Sequence, residues 1–341
     1  MFSDIIRRVI SQKESISLEL QLVDELLNDI IGRHYESVTT GKKLRATLFF
    51  QFFNKFSSKQ SEFAIKKGGP PPKPPQSDLL LGDTEHRSGV YLGVHEHSST
   101  GSTKEETDCG GLGGGSNIWT AALIEAIHFA SIVHDDIIDD SSRRRGNLSF
   151  HKSFGRKFGI LFGDYIFTNA SKRFLDLYKD NRLIQRIFLR ECSSTILGAI
   201  REQELSIASD ISECLRITSL KTSPFFKLSC FLGAYLASGN FKEAIKCATF
   251  GTCFGVLYQI QNDLDCYRFE DYFESEDYTQ NNITLPIVIL CQYLDFNVFS
   301  NSSSHQENYN RTKELIFSKK FEAILQNITK KYYEIVASNL P

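Results

Sequence analysis

The sequence lacks the features that mark membrane, secreted and nucleic-acid-binding proteins. No apolar run approaches the roughly twenty residues that a membrane-spanning helix needs. Charged residues interrupt positions 1–18, so we expect neither a membrane span nor a secretory signal. The net charge of −2 gives no reason to expect a nucleic-acid partner. The eight cysteines include no CxxC pair and several lie in apolar periodic stretches, as is typical of reduced thiols in a cytoplasmic protein.

Signals for β-structure are also scarce. Strict alternation of apolar and polar residues is rare, whereas apolar residues recur at helical spacing along most of the chain. Helices are predicted over residues 1–34 (one or two helices), 46–53, 118–133, 154–177, 183–207, 215–239, 241–267, 283–290 and 314–337, with a polar loop over 297–309. The pattern predicts an all-α protein, a single large helical bundle.

One segment, residues 66–117, breaks the helical pattern. It holds five of the chain's eight prolines and ends in a glycine-rich run. A segment with so few apolar residues cannot offset the entropy lost on ordering. We therefore predict a single domain over residues 1–341 that is interrupted by a disordered surface insertion. The histidines and the cysteine of this segment match no strong metal-ligand template.

A cluster of four carboxylates follows the predicted helix over residues 118–133. Asp135 and Asp139 are four apart and share one helical face, as do Asp136 and Asp140. Charges of one sign this close repel each other. Mg²⁺, which binds one or two carboxylates together with substrate phosphates, would offset that repulsion.

Three consecutive arginines, residues 143–145, come directly after the carboxylates. They have the chemistry to bind the phosphates that such a metal would bring with it. The alternative is a solvated acidic helix end followed by a basic turn. The apolar lead-in disfavours this alternative, because it would bury the helix end and buried charges need partners.

A second anion site is predicted near residue 42. Lys42 and Arg45 are three apart in the segment Gly41-Lys42-Lys43-Leu44-Arg45, which opens a very apolar helix. The backbone N–H groups of a helix start point toward the same place. Taken alone, a basic first turn is usually just solvated.

These motifs, in their order along the chain, resemble those of the trans-type isoprenyl diphosphate synthases, the polyprenyl synthetase family. The likeness spans nearly the whole chain outside the insertion, which falls where the family has a short helix–helix connection. The segments that carry it are Gly41-Lys42-Lys43-Leu44-Arg45, Glu125-Ala126-Ile127-His128, His134-Asp135-Asp136-Ile137-Ile138-Asp139, Arg144-Arg145-Gly146, Gly163-Asp164-Tyr165, Lys221-Thr222, Tyr258-Gln259 and Thr284-Leu285-Pro286.

The resemblance implies a helical bundle of the isoprenoid synthase type around a central cavity, and a Mg²⁺-dependent reaction. Isopentenyl diphosphate and an allylic diphosphate would condense to a longer linear prenyl diphosphate. The allylic diphosphate would bind through Mg²⁺ to Asp135 and Asp139, with Asp136 and Asp140 in support. The residues implied for stabilising the departing diphosphate are Arg144, Lys221, Thr222 and Gln259. Those implied for holding isopentenyl diphosphate are Lys42, Arg45, His128 and Arg145.

The resemblance also implies partners and a location. The family is usually dimeric, so we expect a homodimer in the cytoplasm. A lipid-soluble product would draw such an enzyme to a membrane surface, giving it peripheral contact without a dedicated anchor.

The sequence departs from the family at the second aspartate-rich motif. The usual DDxxD is Asn262-Asp263-Leu264-Asp265-Cys266 here. Asn262 keeps a carbonyl oxygen that hard cations accept, so Asn262 and Asp263 are still predicted as Mg²⁺ ligands, whereas Cys266 is a soft ligand that Mg²⁺ does not favour.

Two other functions stay open because of this departure. Asn262, Cys266 and Glu270 have the spacing of the second metal motif of class I terpene cyclases. The chain could instead be a catalytically weak subunit of a heteromeric prenyl synthase. A synthase is favoured because a cyclase does not need a second diphosphate pocket, and an inactive subunit has little reason to keep the complete first motif.

Two small residues bear on product length. In the family, large aromatic residues at the positions of Ala130 and Ser131 close the tunnel beneath the metals and stop elongation early. Small residues predict an open tunnel and a product of twenty carbons or more. The alternative is that they only allow close helix packing, with Ile127 or Phe129 as the floor.

Overall fold

The computed structural model describes residues 2–31, 43–67, 115–144, 147–268, 278, 280–296, 298–299 and 304–340. These ranges contain thirteen α-helices, which confirms the all-α prediction. The helices are α1 (Phe2–Ser11), α2 (Ser17–Ile31), α3 (Leu44–Lys67), α4 (Gly115–Ile138), α5 (Phe150–Phe154), α6 (Arg156–Leu177), α7 (Arg182–Glu202), α8 (Ile211–Lys221), α9 (Ser223–Ser238), α10 (Phe241–Asp265), α11 (Leu285–Tyr293), α12 (His305–Ile316) and α13 (Lys319–Ser338). Short 3-10 helices occur at Gln12–Ile16 and Cys266–Arg268, and two strands, β1 (Arg143–Arg144) and β2 (Asn147–Leu148), pair antiparallel.

Helix α9 lies at the centre of the bundle, between α3 and α10. All of its residues from 228 to 234 are buried. Two glycines allow its neighbours to approach its backbone. A Cβ atom on Gly233 would lie 2.3 Å from the carbonyl oxygen of Phe49 on α3, and one on Gly251 of α10 would lie 2.6 Å from that of Phe226. Only glycine fits such close backbone contacts, which hold α3, α9 and α10 as one packed unit.

Two predicted helices are each divided into two. The predicted helix over 215–239 breaks at Thr222, between α8 and α9. Pro224 lies in the first turn of α9, where its missing N–H group costs nothing. The predicted terminal helix over 314–337 breaks after α12, and the side chain of Ser318 caps α13 by accepting from the backbone N–H of Phe321 at 3.2 Å.

Three predicted boundaries were also wrong. Helix α7 ends at Glu202 and not at Ile207. The predicted loop over 297–309 contains the start of α12, where Ser304 and Glu307 form a reciprocal capping box. Helix α3 extends to Lys67 and α4 begins at Gly115, so both reach into the predicted insertion. The rest of that prediction, residues 68–114, lies outside the described residues.

Two further features concern the apolar character of the helices and the state of the cysteines. Within the described ranges, no helix has the length and apolar character required to cross a bilayer. The seven cysteines that the structure describes are free thiols, and five of them are buried.

Candidate active site

A cavity of about 930 Å³ lies among helices α4, α6, α7, α8 and α10. Its wall has a charged part and an apolar part. The predicted site residues that line it are Arg45, His128, Asp135, Asp139, Arg144, Lys221, Thr222, Gln259, Asn262 and Asp263. The apolar lining includes Ile132, Phe167, Ile196, Ile217, Phe225 and Leu285. The cavity thus offers surfaces for a charged head group and for an apolar chain in one space.

The carboxylates of the first acidic motif do not all face this cavity. Asp135 and Asp139 line it, one helical turn apart. Asp136 does not line it and is only 2% exposed. Its carboxylate accepts a hydrogen bond from Nε of Arg144 at 2.8 Å. Asp136 therefore holds a cavity-lining arginine in place.

Asp140 lies just after the end of helix α4 and does not line the cavity. Its backbone takes the left-handed conformation, with a φ of 47°. Its carboxylate accepts hydrogen bonds from Lys152 at 3.0 Å and from Arg156 at 2.8 Å. These two bonds lower the pKa of Asp140 to about 2. Asp140 thus stabilises the connection to α5 and α6.

Lys221 links α8 to the acidic helix. Its ammonium lies 2.9 Å from Oδ1 of Asp135 and also bonds Oε2 of Glu202 on α7. Burial alone would lower the pKa of Lys221, but the two carboxylates outweigh burial and hold this pKa well above its ordinary value. Lys221 is therefore a permanent cation beside Asp135.

The side chains of α10 form a hydrogen-bonded chain that starts at the break between α8 and α9. The Thr222 hydroxyl donates to Oε1 of Gln259 at 3.0 Å, and Nε2 of Gln259 donates to Oδ1 of Asp263 at 2.7 Å. Asn262 lines the cavity beside Asp263. Asp265 does not line it; its carboxylate lies 2.8 Å from Nε of Arg268. The altered motif thus presents Asn262 and Asp263 to the cavity and turns Asp265 out of it.

The predicted backbone anion site at the start of α3 is already occupied by a side chain. Oε1 of Glu125, on α4, accepts from the backbone N–H groups of Arg45 at 3.1 Å and Ala46 at 3.0 Å. These two N–H groups are therefore engaged within the protein, and the prediction that this helix start helps to bind a diphosphate stays a prediction. The Arg45 side chain does reach the cavity, with its guanidinium 4.3 Å from the ring centre of Phe226.

Of the three remaining predicted substrate-binding residues, the structure describes only His128. His128 lines the cavity, with its backbone carbonyl accepting from the hydroxyl of Ser131 at 2.7 Å. Lys42 and Arg145 lie outside the described residues, as does Glu270 of the cyclase-like spacing.

The site fits a hard divalent cation that arrives with phosphates. Within the described part of the chain, no three His, Cys, Asp or Glu residues are grouped closely enough to hold a metal by themselves. Asp135 and Asp139 supply two carboxylates on one wall, and Asn262 and Asp263 supply oxygen donors on α10. Mg²⁺ characteristically takes one or two carboxylates and completes its shell with water and substrate phosphate. The oxygen donors of these four residues match this coordination preference.

Sequence reasoning missed several residues that line or support the cavity. Glu202 and Glu125 have no role predicted from the sequence, because no spacing rule connects them to partners distant in sequence. Cys192 and Cys214 also line the cavity. Burial raises their pKa to about 12 and about 11, so these thiols are protonated and are not nucleophiles.

Solved structures with the same arrangement of helices define the class of this protein. Heptaprenyl diphosphate synthase from Staphylococcus aureus superposes with a TM-score of 0.67 at 20% identity, over 94% of this chain and 90% of that one. Geranylgeranyl pyrophosphate synthase from Lactobacillus brevis gives 0.68 at 18% identity, over 97% and 92%. The fold is the all-α isoprenoid synthase fold, as expected from the sequence.

The family follows from a match over more than half of the chain. Residues 116–321 match the model of the polyprenyl synthetase family, and the chain belongs to that family. Decaprenyl-diphosphate synthase from Dictyostelium discoideum is 35% identical over 156 residues, 44% of this chain and 32% of that protein. Heptaprenyl diphosphate synthase component 2 from Geobacillus stearothermophilus is 31% identical over 175 residues, 49% of this chain and 54% of that protein. The matched stretches thus span about a third to a half of these relatives.

Proposed function

We propose that the protein is a Mg²⁺-dependent prenyltransferase that condenses isopentenyl diphosphate with an allylic diphosphate to a longer linear prenyl diphosphate. The observation that carries the proposal is the shared cavity, in which a group of carboxylates and two sets of cationic side chains stand beside an apolar wall. Lys221 and Arg144 form one cationic set, next to Asp135. Arg45, with His128 nearby in the lining, belongs to the other.

The chain's residues would hold the two substrates so that a bimolecular step becomes intramolecular. The C–O bond of the allylic diphosphate breaks, and the electron pair leaves with the diphosphate. The isopentenyl double bond attacks the resulting cation, a C–C bond forms, and one proton is released. Lys221, Arg144 and Gln259 stabilise the charge of the departing diphosphate. The apolar lining keeps water from the cation.

Asp135 and Asp139 would hold the metal, together with Asn262 and Asp263 on α10. Mg²⁺, when bound, neutralises diphosphate charge and so favours its departure. The residues present fit this role by the chemistry of their donor atoms.

We also propose a homodimer in the cytoplasm. Helices α6 and α7 expose apolar side chains at helical spacing, with Leu161 67%, Tyr165 60%, Leu197 45% and Ile200 57% exposed. Stripes of this kind mark protein–protein surfaces, and a second copy of the chain would cover both in one symmetric contact. The free thiols support a reducing compartment.

A product of twenty carbons or more is supported by the lining beneath the carboxylates. Ser131 lines the cavity, whereas Ala130 is fully buried away from it. Ser131→Phe would therefore shorten the product by filling the cavity. Ala130→Phe would instead overpack the α4 core at a cost of about 1–3 kcal/mol. Chromatography of the products of both variants tests this; an unchanged distribution for Ser131→Phe contradicts an open tunnel.

A cyclase is the second candidate, on one specific observation. Asn262 and Cys266, four residues apart, both line the cavity while Asp265 does not. The cyclase-like spacing requires Asn262 and Cys266 to face the cavity together in this way. A subunit role remains the third, since one relative is named as a component of a heptaprenyl diphosphate synthase.

One experiment separates the three. Purified protein is incubated with isopentenyl diphosphate, Mg²⁺ and each allylic primer, and the products are separated by chromatography. Linear prenyl diphosphates support the synthase, cyclic hydrocarbons the cyclase, and product only after a second chain is added the subunit. Asp139→Asn should lower kcat by roughly a hundredfold or more, whereas Asp176→Asn, an exposed aspartate outside the cavity lining, should leave it unchanged.

A further inference from the structure

Glu202 has no part in the function proposed so far, yet it bonds the cation at the centre of the site. Lys221 lies between two carboxylates, Asp135 at 2.9 Å and Glu202. Glu202 itself lines the cavity and keeps a third of its side chain exposed. The ammonium is therefore shared by one carboxylate assigned to the metal and one that is not.

The charges on this wall do not favour an anion in the absence of a metal. Five carboxylates line the cavity, those of Asp135, Asp139, Asp164, Glu202 and Asp263, against four cations, Arg45, Arg143, Arg144 and Lys221. Arg144 is also paired with Asp136, a further carboxylate outside the lining, so negative charge is in excess. A diphosphate entering alone meets excess negative charge at short range, where Coulomb repulsion is strong.

We propose that Glu202 makes diphosphate binding depend on the divalent metal, by holding Lys221 in place and balancing its charge together with Asp135. With Asp135 engaged as a metal ligand, Lys221 would keep only Glu202 of these two counter-charges and would be able to bind the incoming phosphate. Glu202 stays on the other side of the ammonium and keeps it in position. Glu202 is in this sense a positioning residue, and the inference rests on the proposed function for the nature of the ligand.

The test compares binding of inorganic diphosphate by calorimetry, with and without Mg²⁺. In the unaltered protein, diphosphate should bind far more weakly without Mg²⁺ than with it. Glu202→Gln removes one negative charge and leaves Lys221 with Asp135 as its one remaining carboxylate partner of the two, so metal-free diphosphate should bind about tenfold more tightly, equivalent to about 1.4 kcal/mol. Binding in saturating Mg²⁺ should change much less. The ratio of the two affinities is a readout that a merely structural role would not move.

Glu204→Gln is the matched control. Glu204 lies two residues further on, is exposed, and pairs with Arg201 at 2.8 Å outside the cavity lining. The Glu204→Gln variant should bind diphosphate as the unaltered protein does, and thermal unfolding should show that both variants are folded. The inference is overturned if Glu202→Gln leaves metal-free affinity unchanged or if Glu204→Gln raises it equally. Because no turnover is measured, absence of prenyl products would count against the proposed function and not against this coupling.

Discussion

At the scale of single residues, Asn262 is the position on which the proposed second metal site depends. It lines the cavity beside Asp263, and the carboxylate of Asp263 is already oriented by Gln259. An amide oxygen can coordinate a hard cation, but it lacks the negative charge that strengthens the bond. A metal held partly by Asn262 is therefore bound more weakly than one held by an aspartate.

Asn262→Asp should lower the Mg²⁺ concentration needed for half-maximal rate by roughly threefold to tenfold. Titrating Mg²⁺ against rate measures this directly. Asp265→Asn is the comparison, since Asp265 faces Arg268 and should leave the titration unchanged. The competing account, in which Asp263, Asp265 or Glu270 has taken over coordination after a small helix rotation, expects the opposite. Asn262→Asp would then reduce activity, and Asp265→Ala or Glu270→Ala would abolish it.

At the scale of elements, the start of α3 depends on a carboxylate supplied by α4. The carboxylate of Glu125 accepts hydrogen bonds from two backbone N–H groups in the first turn of α3. In other helices a local capping residue usually accepts such bonds. The bond joins the helix that carries Arg45 to the helix that carries Asp135. One buried residue thereby sets the distance between the two predicted substrate sites.

Glu125→Ala should destabilise the protein by about 2–4 kcal/mol, because it leaves two buried N–H groups unsatisfied and opens a cavity. Glu125→Gln keeps a carbonyl acceptor and should cost less, about 1 kcal/mol. Denaturant unfolding midpoints measure both. Glu25→Ala, at an exposed position on α2, should stay within about 0.5 kcal/mol; a similar loss there would mean that the cap has no special role.

The element boundaries also show which features of the fold could be predicted from the sequence. The break before α9 had a local signal in Pro224, and the start of α12 had one in Ser304 and Glu307, so both were readable from neighbouring residues. The link from Glu125 to Arg45 spans 80 positions, and the pairing of Lys221 with Glu202 depends on how α7 packs on α8. Contacts of this kind come from tertiary packing, which no local pattern encodes.

At the scale of the whole molecule, the predicted insertion lies between two helices that pack against each other. Helix α3 ends at Lys67, α4 begins at Gly115, and the two are in contact.

Replacing residues 68–114 by a short glycine–serine linker should leave fold and activity intact. The melting temperature should stay within about 3 °C, and the rate within about twofold. A control that shortens the α7–α8 connection, residues 203–210, should lose activity, because this connection carries Gln203 and Leu205 into the cavity lining. Insoluble or inactive protein after the first deletion would mean that the segment packs against the bundle or binds something.

The three cysteines in the cavity wall differ in their accessibility, so one of them can be labelled selectively among the three. Cys192 and Cys214 are buried and stay protonated, so maleimide reagents and mild oxidants should pass them by. Cys266 is partly exposed and lies in the same cavity wall. A small fluorophore attached there would sense ligand entry from within, and protection of that thiol from alkylation would report occupancy without any radioactive substrate.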